Sequence, residues 1–159
     1  MKIAILAVGK MKEDSLRDAA AEYEKRLRRY AETQIIQVPD EPAGEHLTAA
    51  QIQAVKEKEG RRILEKQSAS AYRIALCIDG KRMDSETFSA RLAECMNRGY
   101  SRIEFMIGGS NGLSDAVIES ADLKLSFSDM TFPHQLMRVI LLEQIYRAFK
   151  IMRHEPYHK

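Results

Sequence analysis

The sequence is poor in several residue types that mark particular protein classes. It has no tryptophan, four prolines and two cysteines among its 159 residues. Because neither Cys77 nor Cys95 belongs to a C-x-x-C pair, reduced thiols in a cytoplasmic protein are expected. No apolar run approaches the roughly 18 residues that cross a membrane. We therefore expect no membrane partner.

Neither sign of charge is in large excess. Charged residues make up 30% of the chain, hydrophobic residues 45%, and the formal net charge is +2. This composition is typical of a globular protein, and the length suits one domain over residues 1–159. An anionic partner would have to meet local patches, of which two are visible: KRLRR at 25–29 and the segment 147–159. The first patch has a second explanation, because cations at a helix C-terminus interact favourably with the helix dipole.

Short apolar runs alternate with amphipathic segments along the whole chain. Strands are predicted over residues 3–8, 34–38, 74–78, 103–107 and 123–127. Helices are predicted over residues 14–30, from Thr48 to about Gln67, after Asp84, after Ser114, and from Pro133 to Met152. This alternation predicts an α/β domain with a mainly parallel sheet and helices on both faces.

A glycine-rich loop follows the predicted fourth strand, in the stretch MIGGSNGLSD at 106–115. Ligands of open α/β sheets lie beyond the carboxyl ends of the strands, so this loop is well placed for binding. It lacks the spacing of the dinucleotide motif, because Ser110 and Leu113 stand where the second and third glycines belong, and the chain contains no P-loop. The alternative is a tight turn that requires positive φ angles.

The stretch HEPYH at 154–158 matches the zinc-protease pattern H-E-x-x-H in its letters alone. That motif requires a helix that places both histidines on one face. Pro156 is incompatible with a helix interior, and no third ligand follows the motif. We therefore expect no metal site.

The predicted last helix carries two sets of polar side chains. Glu143, Arg147 and Lys150 fall within about 60° of one another around the helix axis. A solvated face with an i,i+4 ion pair explains this set as well as a functional cluster does. Arg138 lies about 140° from Glu143, on the apolar side. A buried guanidinium there requires a partner, either within the chain or in a second subunit.

Three segments together resemble a known family. IGGSNGLS at 107–114, LSFSDMTFPHQLMRVILLEQIYRAFKI at 125–151 and the terminal PYHK are similar to the small SPOUT-class methyltransferases of the RlmH type. The resemblance extends over essentially the whole chain, including the AVGK stretch at 7–10. It implies a homodimer with an α/β trefoil knot near the C-terminus. It also implies methylation of N3 of a pseudouridine in 23S ribosomal RNA by S-adenosylmethionine, on assembled ribosomes and with no DNA partner.

The resemblance places the methyl-donor site on three parts of the chain. They are Leu76 at the end of the third strand, Gly108 at the start of the glycine loop, and the segment Phe127, Ser128, Asp129, Met130, Thr131 and Phe132 before the last helix. Apolar side chains among these residues suit an adenine ring. Gly108 is expected to let the backbone approach the ligand closely.

On the target side, Glu143, Arg147, Tyr157 and His158 match family positions implicated in substrate binding or catalysis. His158 is a candidate general base, because imidazole titrates near neutral pH. Arg147 is a candidate for stabilising a developing uracil anion. Both roles stay open at this point. Lys159 stands where the resemblance leads us to expect arginine, and lysine lacks the planar fork that binds phosphate through two hydrogen bonds.

Two other functions also stay open. One is a nucleotide-binding α/β enzyme of another class that uses the loop at 108–112, although the missing P-loop and dinucleotide spacings weigh against it. The other is a non-catalytic dimeric module that binds ribosomes and has no affinity for the methyl donor.

Overall fold

The computed structural model describes all residues, 1–159, as five strands and five helices in strict alternation. The strands are β1 (Lys2–Val8), β2 (Glu32–Val38), β3 (Tyr72–Arg82), β4 (Arg102–Ile107) and β5 (Leu123–Ser126). The helices are α1 (Asp14–Leu27), α2 (Ala49–Leu64), α3 (Ser85–Asn97), α4 (Asp115–Glu119) and α5 (His134–Met152). Every predicted strand and helix is present. None of the helices is both long enough and apolar enough to cross a membrane.

All five strands run parallel in one sheet of order β2-β1-β4-β3-β5. The larger core cluster packs α1, α3 and α5 on one face, and a smaller cluster packs α2 and α4 on the other. The apolar run at 3–8 is at most 1% exposed, as expected for a strand covered on both faces. The predicted α/β architecture with a parallel sheet is confirmed, and the knot stays a prediction.

Local capping signals in the sequence set the start of three helices. The hydroxyl of Thr48 accepts a hydrogen bond from the Gln51 N–H at 3.2 Å, and the Thr48 N–H donates to Gln51 Oε1 at 2.8 Å. This is the predicted capping box at the start of α2. Asp84 and Ser114 cap α3 and α4 through hydrogen bonds from backbone N–H groups three residues further on.

Several boundaries differ from the prediction for identifiable reasons. α1 ends at Leu27 and α2 at Leu64, each three residues early, because the chain then tightens into turns with i→i−3 hydrogen bonds. β2 begins at Glu32, since it pairs with β1 along its full length. α5 begins at His134, one residue later than predicted, because Pro133 keeps an extended ψ of 129°.

The third strand departs most from the prediction. It reaches Arg82 instead of ending at 78, and its pairing with β5 is interrupted. Leu125 pairs with Leu76 and again with Lys81, so residues 77–80 bulge out of the ladder. Position 80 requires glycine, because a Cβ on Gly80 would lie 2.6 Å from the carbonyl carbon of Leu125.

Helix α5 covers the centre of the sheet and contacts both α1 and α3. Arg138 is fully buried there, and its Nη2 donates to the carbonyl oxygens of Val8 at 2.6 Å and Gly9 at 2.8 Å. The partner that the sequence left open is therefore the backbone at the end of β1. Nε and Nη1 of Arg138 have no hydrogen-bond partner. Burial lowers the pKa of the guanidinium.

Candidate active site

A cavity of about 770 Å³ opens at the carboxyl ends of β3, β4 and β5. Its walls are the start of the 77–80 bulge, the glycine loop after β4, and the segment from the end of β5 into the first turn of α5. Seven of the eight predicted donor-site residues line it: Leu76, Gly108, Phe127, Ser128, Met130, Thr131 and Phe132. The three segments that the resemblance indicates therefore surround one continuous cavity, and their binding of the donor stays a prediction.

Asp129 is the predicted donor-site residue that does not line the cavity. Its exposed carboxylate forms an ion pair with Arg82, at the end of β3. The same loop is held from within by Ser126, whose hydroxyl donates to the Ser128 carbonyl at 3.1 Å, and by the Met130 N–H, which donates to Ser128 Oγ at 3.0 Å. Asp129 thus fastens the loop at 127–132 to β3 from outside the cavity.

The glycine loop is shaped by its own backbone. Gly112 has a φ of +85°, and its N–H donates to the Gly109 carbonyl at 3.0 Å. A Cβ on Gly108 would lie 2.6 Å from the Gly112 carbonyl oxygen. The close approach of a ligand to the backbone of Gly108 stays a prediction. The structure adds a further reason for glycine here, namely that the loop folds back on itself at this residue.

Several lining residues were not identified from the sequence. Cys77 and Ile78 enter the cavity because of the β3 bulge, and His134 and Met137 enter it from the first turn of α5. Gly80 was the one available signal for the bulge, since glycine inside a strand often marks a bulge or a close backbone approach. Cys77 is half-buried, and its burial, aided by Asp79, raises the pKa of the thiol.

A second cluster lies further along α5, where the tail of the chain folds back on the helix. His154 has a φ of 53°, the left-handed conformation that commonly ends helices. The His154 N–H donates to the Ile151 carbonyl and the Glu155 N–H to the Lys150 carbonyl, both at 3.0 Å, which is the Schellman pattern. This turn directs residues 156–159 back along α5.

The tail completes a polar cluster around Glu143. Glu143 Oε1 accepts from Arg147 Nε at 3.0 Å and Nη2 at 2.5 Å, and from the Tyr157 hydroxyl at 3.1 Å. Arg147 Nη1 lies 3.3 Å from Nδ1 of His158, and its guanidinium carbon lies 4.7 Å from the centre of the Tyr157 ring. The structure therefore brings together all four residues of the predicted target side. Lys159 is exposed beside them.

The residues around Glu143 differ in their protonation. Burial, then hydrogen bonding with Tyr23 and Glu143, raises the pKa of Tyr157, so its phenol stays protonated at neutral pH. The hydrogen bond to Glu143 raises the pKa of Arg147, which makes that guanidinium a permanent cation. His158 carries the one imidazole of the cluster, and a neutral imidazole has one ring nitrogen that can accept a proton. The arrangement thus offers one fixed positive charge beside one candidate base.

The two clusters are separate within one chain. None of the four tail-side residues lines the cavity. The cavity reaches α5 at His134 and Met137, whereas Arg147 lies ten residues beyond Met137, which is about 15 Å along a helix axis. The donor-side and target-side groups of a single chain therefore do not meet.

Known proteins are similar to this chain over its full length. A family model described as "Predicted SPOUT methyltransferase" matches residues 1–158. Relatives from Bacillus pumilus and from an Exiguobacterium species are both described as "Ribosomal RNA large subunit methyltransferase H". They are 53% and 55% identical to this chain over 159 residues, and in each case 100% of both chains is covered.

Solved structures with little sequence identity share the fold. A probable methylase family protein from Haemophilus influenzae has a TM-score of 0.55 at 11% identity, over 99% of this chain and 70% of that chain. A putative methylase family protein from Neisseria gonorrhoeae has a TM-score of 0.51 at 12% identity, over 91% of this chain and 81% of that chain. With the family model matching almost every residue, the chain belongs to the SPOUT methyltransferase family.

Proposed function

We propose that this chain is a cytoplasmic enzyme that uses S-adenosylmethionine to methylate N3 of a pseudouridine in 23S ribosomal RNA on assembled ribosomes. The observation that carries the proposal is the full-length identity above 50% to two proteins described as ribosomal RNA large subunit methyltransferase H. The cavity is the candidate site for the methyl donor. The tail cluster, which consists of Glu143, Arg147, Tyr157 and His158, is the candidate site for the target base.

The cavity suits the methyl donor in size and in charge. Its volume of about 770 Å³ lies within the range of about 300–1,000 Å³ that is usual for small-molecule sites. Apolar side chains such as Leu76 and Phe127 offer walls for an adenine ring. No lysine or arginine lines the cavity. ATP or a dinucleotide would bring several phosphate charges without a cation to meet them, so the alternative of another nucleotide-binding enzyme is disfavoured.

The tail cluster suits the target base. S-adenosylmethionine, when bound, supplies an electrophilic methyl group on its sulfonium. His158 accepts the N3 proton, and the Arg147 guanidinium stabilises the negative charge that develops on the ring. Glu143 orients Arg147 and Tyr157 through its shared Oε1. Holding the two reactants in line contributes about 7–11 kcal/mol to lowering the barrier.

The separation of the two clusters supports a homodimer. A base held by the tail of one chain lies far from the cavity of the same chain, so the tail of a second copy has to approach it. Two large apolar side chains at the cavity, Ile78 and Met130, are 51% and 74% exposed, which leaves apolar surface for a partner chain to cover.

Calorimetric titration of the purified protein with S-adenosylmethionine, ATP and NAD tests the donor site. We expect saturable binding of S-adenosylmethionine alone. Cys77 provides a second readout in the same site, because a bound donor slows its alkylation while Cys95, 1% exposed, stays unreactive throughout. Transfer of a labelled methyl group to ribosomes then tests the reaction. Binding of ATP alone would favour another nucleotide enzyme, and ribosome binding without donor binding would favour the non-catalytic module.

A further inference from the structure

A row of aromatic rings extends from the tail cluster across the ends of α1 and α5. The Tyr157 ring lies 4.9 Å from Tyr146, which in turn lies 6.0 Å from Tyr30 and 6.3 Å from Tyr23. Tyr30 stacks on Phe149 with centroids 5.6 Å apart and an interplanar angle of 13°. Tyr23, Tyr30 and Tyr146 are each half-buried and pack against the larger core cluster. The row therefore presents only part of each ring at the surface, next to the target-side residues.

Guanidinium groups from two distant parts of the chain lie on these rings. The guanidinium carbon of Arg26 lies 5.4 Å from the centre of Tyr23 and 5.9 Å from Tyr146. Arg29 and Arg153 both lie over Tyr30, at 6.0 and 5.1 Å. Cation–π contacts of this kind hold the planar group in place while leaving its N–H groups free to donate. We call the set of Tyr23, Arg26, Arg29, Tyr30, Tyr146 and Arg153 the aromatic–basic ridge.

The carboxylates near the ridge are already engaged. Glu22 pairs with Arg26 at 2.8 Å, and Glu155 pairs with Lys150 at 2.7 Å. Arg29 and Arg153 are exposed and have no carboxylate oxygen within 4.0 Å. The helix dipole accounts for cations at the end of α1, but it does not account for Arg29, just after α1, and Arg153, at the end of α5, meeting on one ring. Two of the three arginines of the ridge, Arg29 and Arg153, therefore form no ion pair within the chain.

We propose that the aromatic–basic ridge binds the phosphate backbone of the ribosomal RNA strand that flanks the target nucleotide. The inference rests on the proposed function and extends it to a contact outside the tail cluster. Arginine fits phosphate through paired hydrogen bonds. Unpaired nucleotides in RNA loops stack on exposed aromatic side chains. The continuity of the ridge with Tyr157 places this contact directly beside the site where the target base is held.

Arg29→Ala/Arg153→Ala tests the proposal. The matched control is Arg61→Ala/Lys66→Ala, because both residues are exposed, lie in or just after α2 on the other face of the sheet, and have no carboxylate partner. Affinity for the large ribosomal subunit is measured over a series of KCl concentrations, together with S-adenosylmethionine affinity and thermal unfolding. The salt slope is the fall in the logarithm of the binding constant per unit increase in the logarithm of the KCl concentration. Each lost phosphate contact on single-stranded RNA lowers this slope by about 0.7, so we expect a decrease of about 1.4 in the ridge variant. Its affinity for the subunit falls about tenfold or more, and its affinity for the donor is unchanged.

The possible outcomes separate this proposal from the proposed function. If the wild-type protein methylates ribosomes and the ridge variant has an unchanged salt slope and affinity, the ridge is not an RNA contact. The proposed activity would be unaffected by that result. A loss of affinity at constant salt slope would overturn it in favour of a ribosomal protein as the partner. Arg29→Lys/Arg153→Lys should keep most of the slope, because it keeps the charge. Failure of the wild type to bind or methylate ribosomes would instead overturn the proposed function.

Discussion

The phenol of Tyr30 donates a 2.6 Å hydrogen bond to the carboxylate of Glu155, although 125 positions separate the two residues in the chain. Lys150 donates to the same Oε2 atom at 2.7 Å. One carboxylate therefore joins the end of α1, the end of α5 and the tail. Tyr157 and His158 lie two and three residues after Glu155, so this contact helps to determine where the candidate catalytic residues lie.

Glu155→Ala is expected to free the tail. Without its carboxylate, neither Tyr30 nor Lys150 holds the segment that carries Tyr157 and His158. Backbone N–H groups of residues 157–159 should then exchange hydrogen faster, and kcat for ribosome methylation should fall while donor affinity is unchanged. Glu119→Ala serves as the control, since Glu119 is exposed on α4 away from the tail. A variant tail that stays protected would show that the Schellman turn and the contacts of Tyr157 and His158 with Glu143 and Arg147 hold it without Glu155.

The same contact predicts a pH dependence. The hydrogen bond from Lys150, then that from Tyr30, lowers the pKa of Glu155 below its ordinary value of 4.5. A carboxyl group with a lowered folded-state pKa stabilises the structure above its unfolded-state value and loses that contribution as the pH falls through the folded-state value. We expect tail resonances in NMR spectra to move together below about pH 4.5 and to be independent of pH between 6 and 8. Early opening near neutral pH would contradict this.

His158→Ala is expected to lower kcat by about 100-fold or more, the usual range for loss of a general base. Tyr157→Phe, which retains the ring over which Arg147 lies, should cost less, because the phenol of Tyr157 keeps its proton at neutral pH and is not a base. Undiminished turnover by His158→Ala would remove its role as base and leave Arg147 as the main contributor.

Gly108→Ala is expected to damage the donor site. The added methyl group would meet the carbonyl of Gly112, and the loop at 108–112 would have to open. We expect S-adenosylmethionine affinity to fall about tenfold, or about 1.4 kcal/mol, by calorimetry. Gly44→Ala is the matched control, because a Cβ on Gly44 has no atom within 4 Å. Equal donor affinities in the two variants would show that the turn at Gly108 does not shape the site.

Arg138→Lys is expected to destabilise the fold more than Arg138→Met. Both hydrogen bonds come from Nη2 at the end of the arginine side chain, and the shorter lysine side chain buries its ammonium without reaching the carbonyls of Val8 and Gly9 as closely, which costs about 2 kcal/mol or more. Methionine also leaves the two carbonyls without this donor, but it buries no charge, so its loss should be smaller. Urea unfolding of the two variants gives the order, and a more stable Lys variant would show that the positive charge itself is the stabilising feature.

The sequence was most informative where interactions are local. The capping box of Thr48 and Gln51 and the i,i+4 pair of Glu143 and Arg147 follow from helical spacing alone. The donor-site residues were assigned because three separated segments together resembled one family. The β3 bulge was not predictable, because it depends on Leu125 pairing with two residues of another strand.

Long-range contacts account for the rest of what the sequence missed. The backbone carbonyls that accept from Arg138 belong to a turn at the opposite end of the chain. The direction of the tail depends on a left-handed residue that is histidine instead of glycine, and on a contact with Tyr30. Residue spacing within one helix or strand could not have indicated the partners of Arg138 or the direction of the tail.

The contact between Arg138 and the end of β1 also sets the order of events during synthesis. β1 lies inside the sheet, between β2 and β4, and Val8 precedes Arg138 of the covering helix α5 by 130 positions. The apolar run at 3–8 is therefore synthesised well before the helix that covers it. Native folding requires α5 to have left the ribosome, so the first strand of the nascent chain is a candidate for chaperone binding until then.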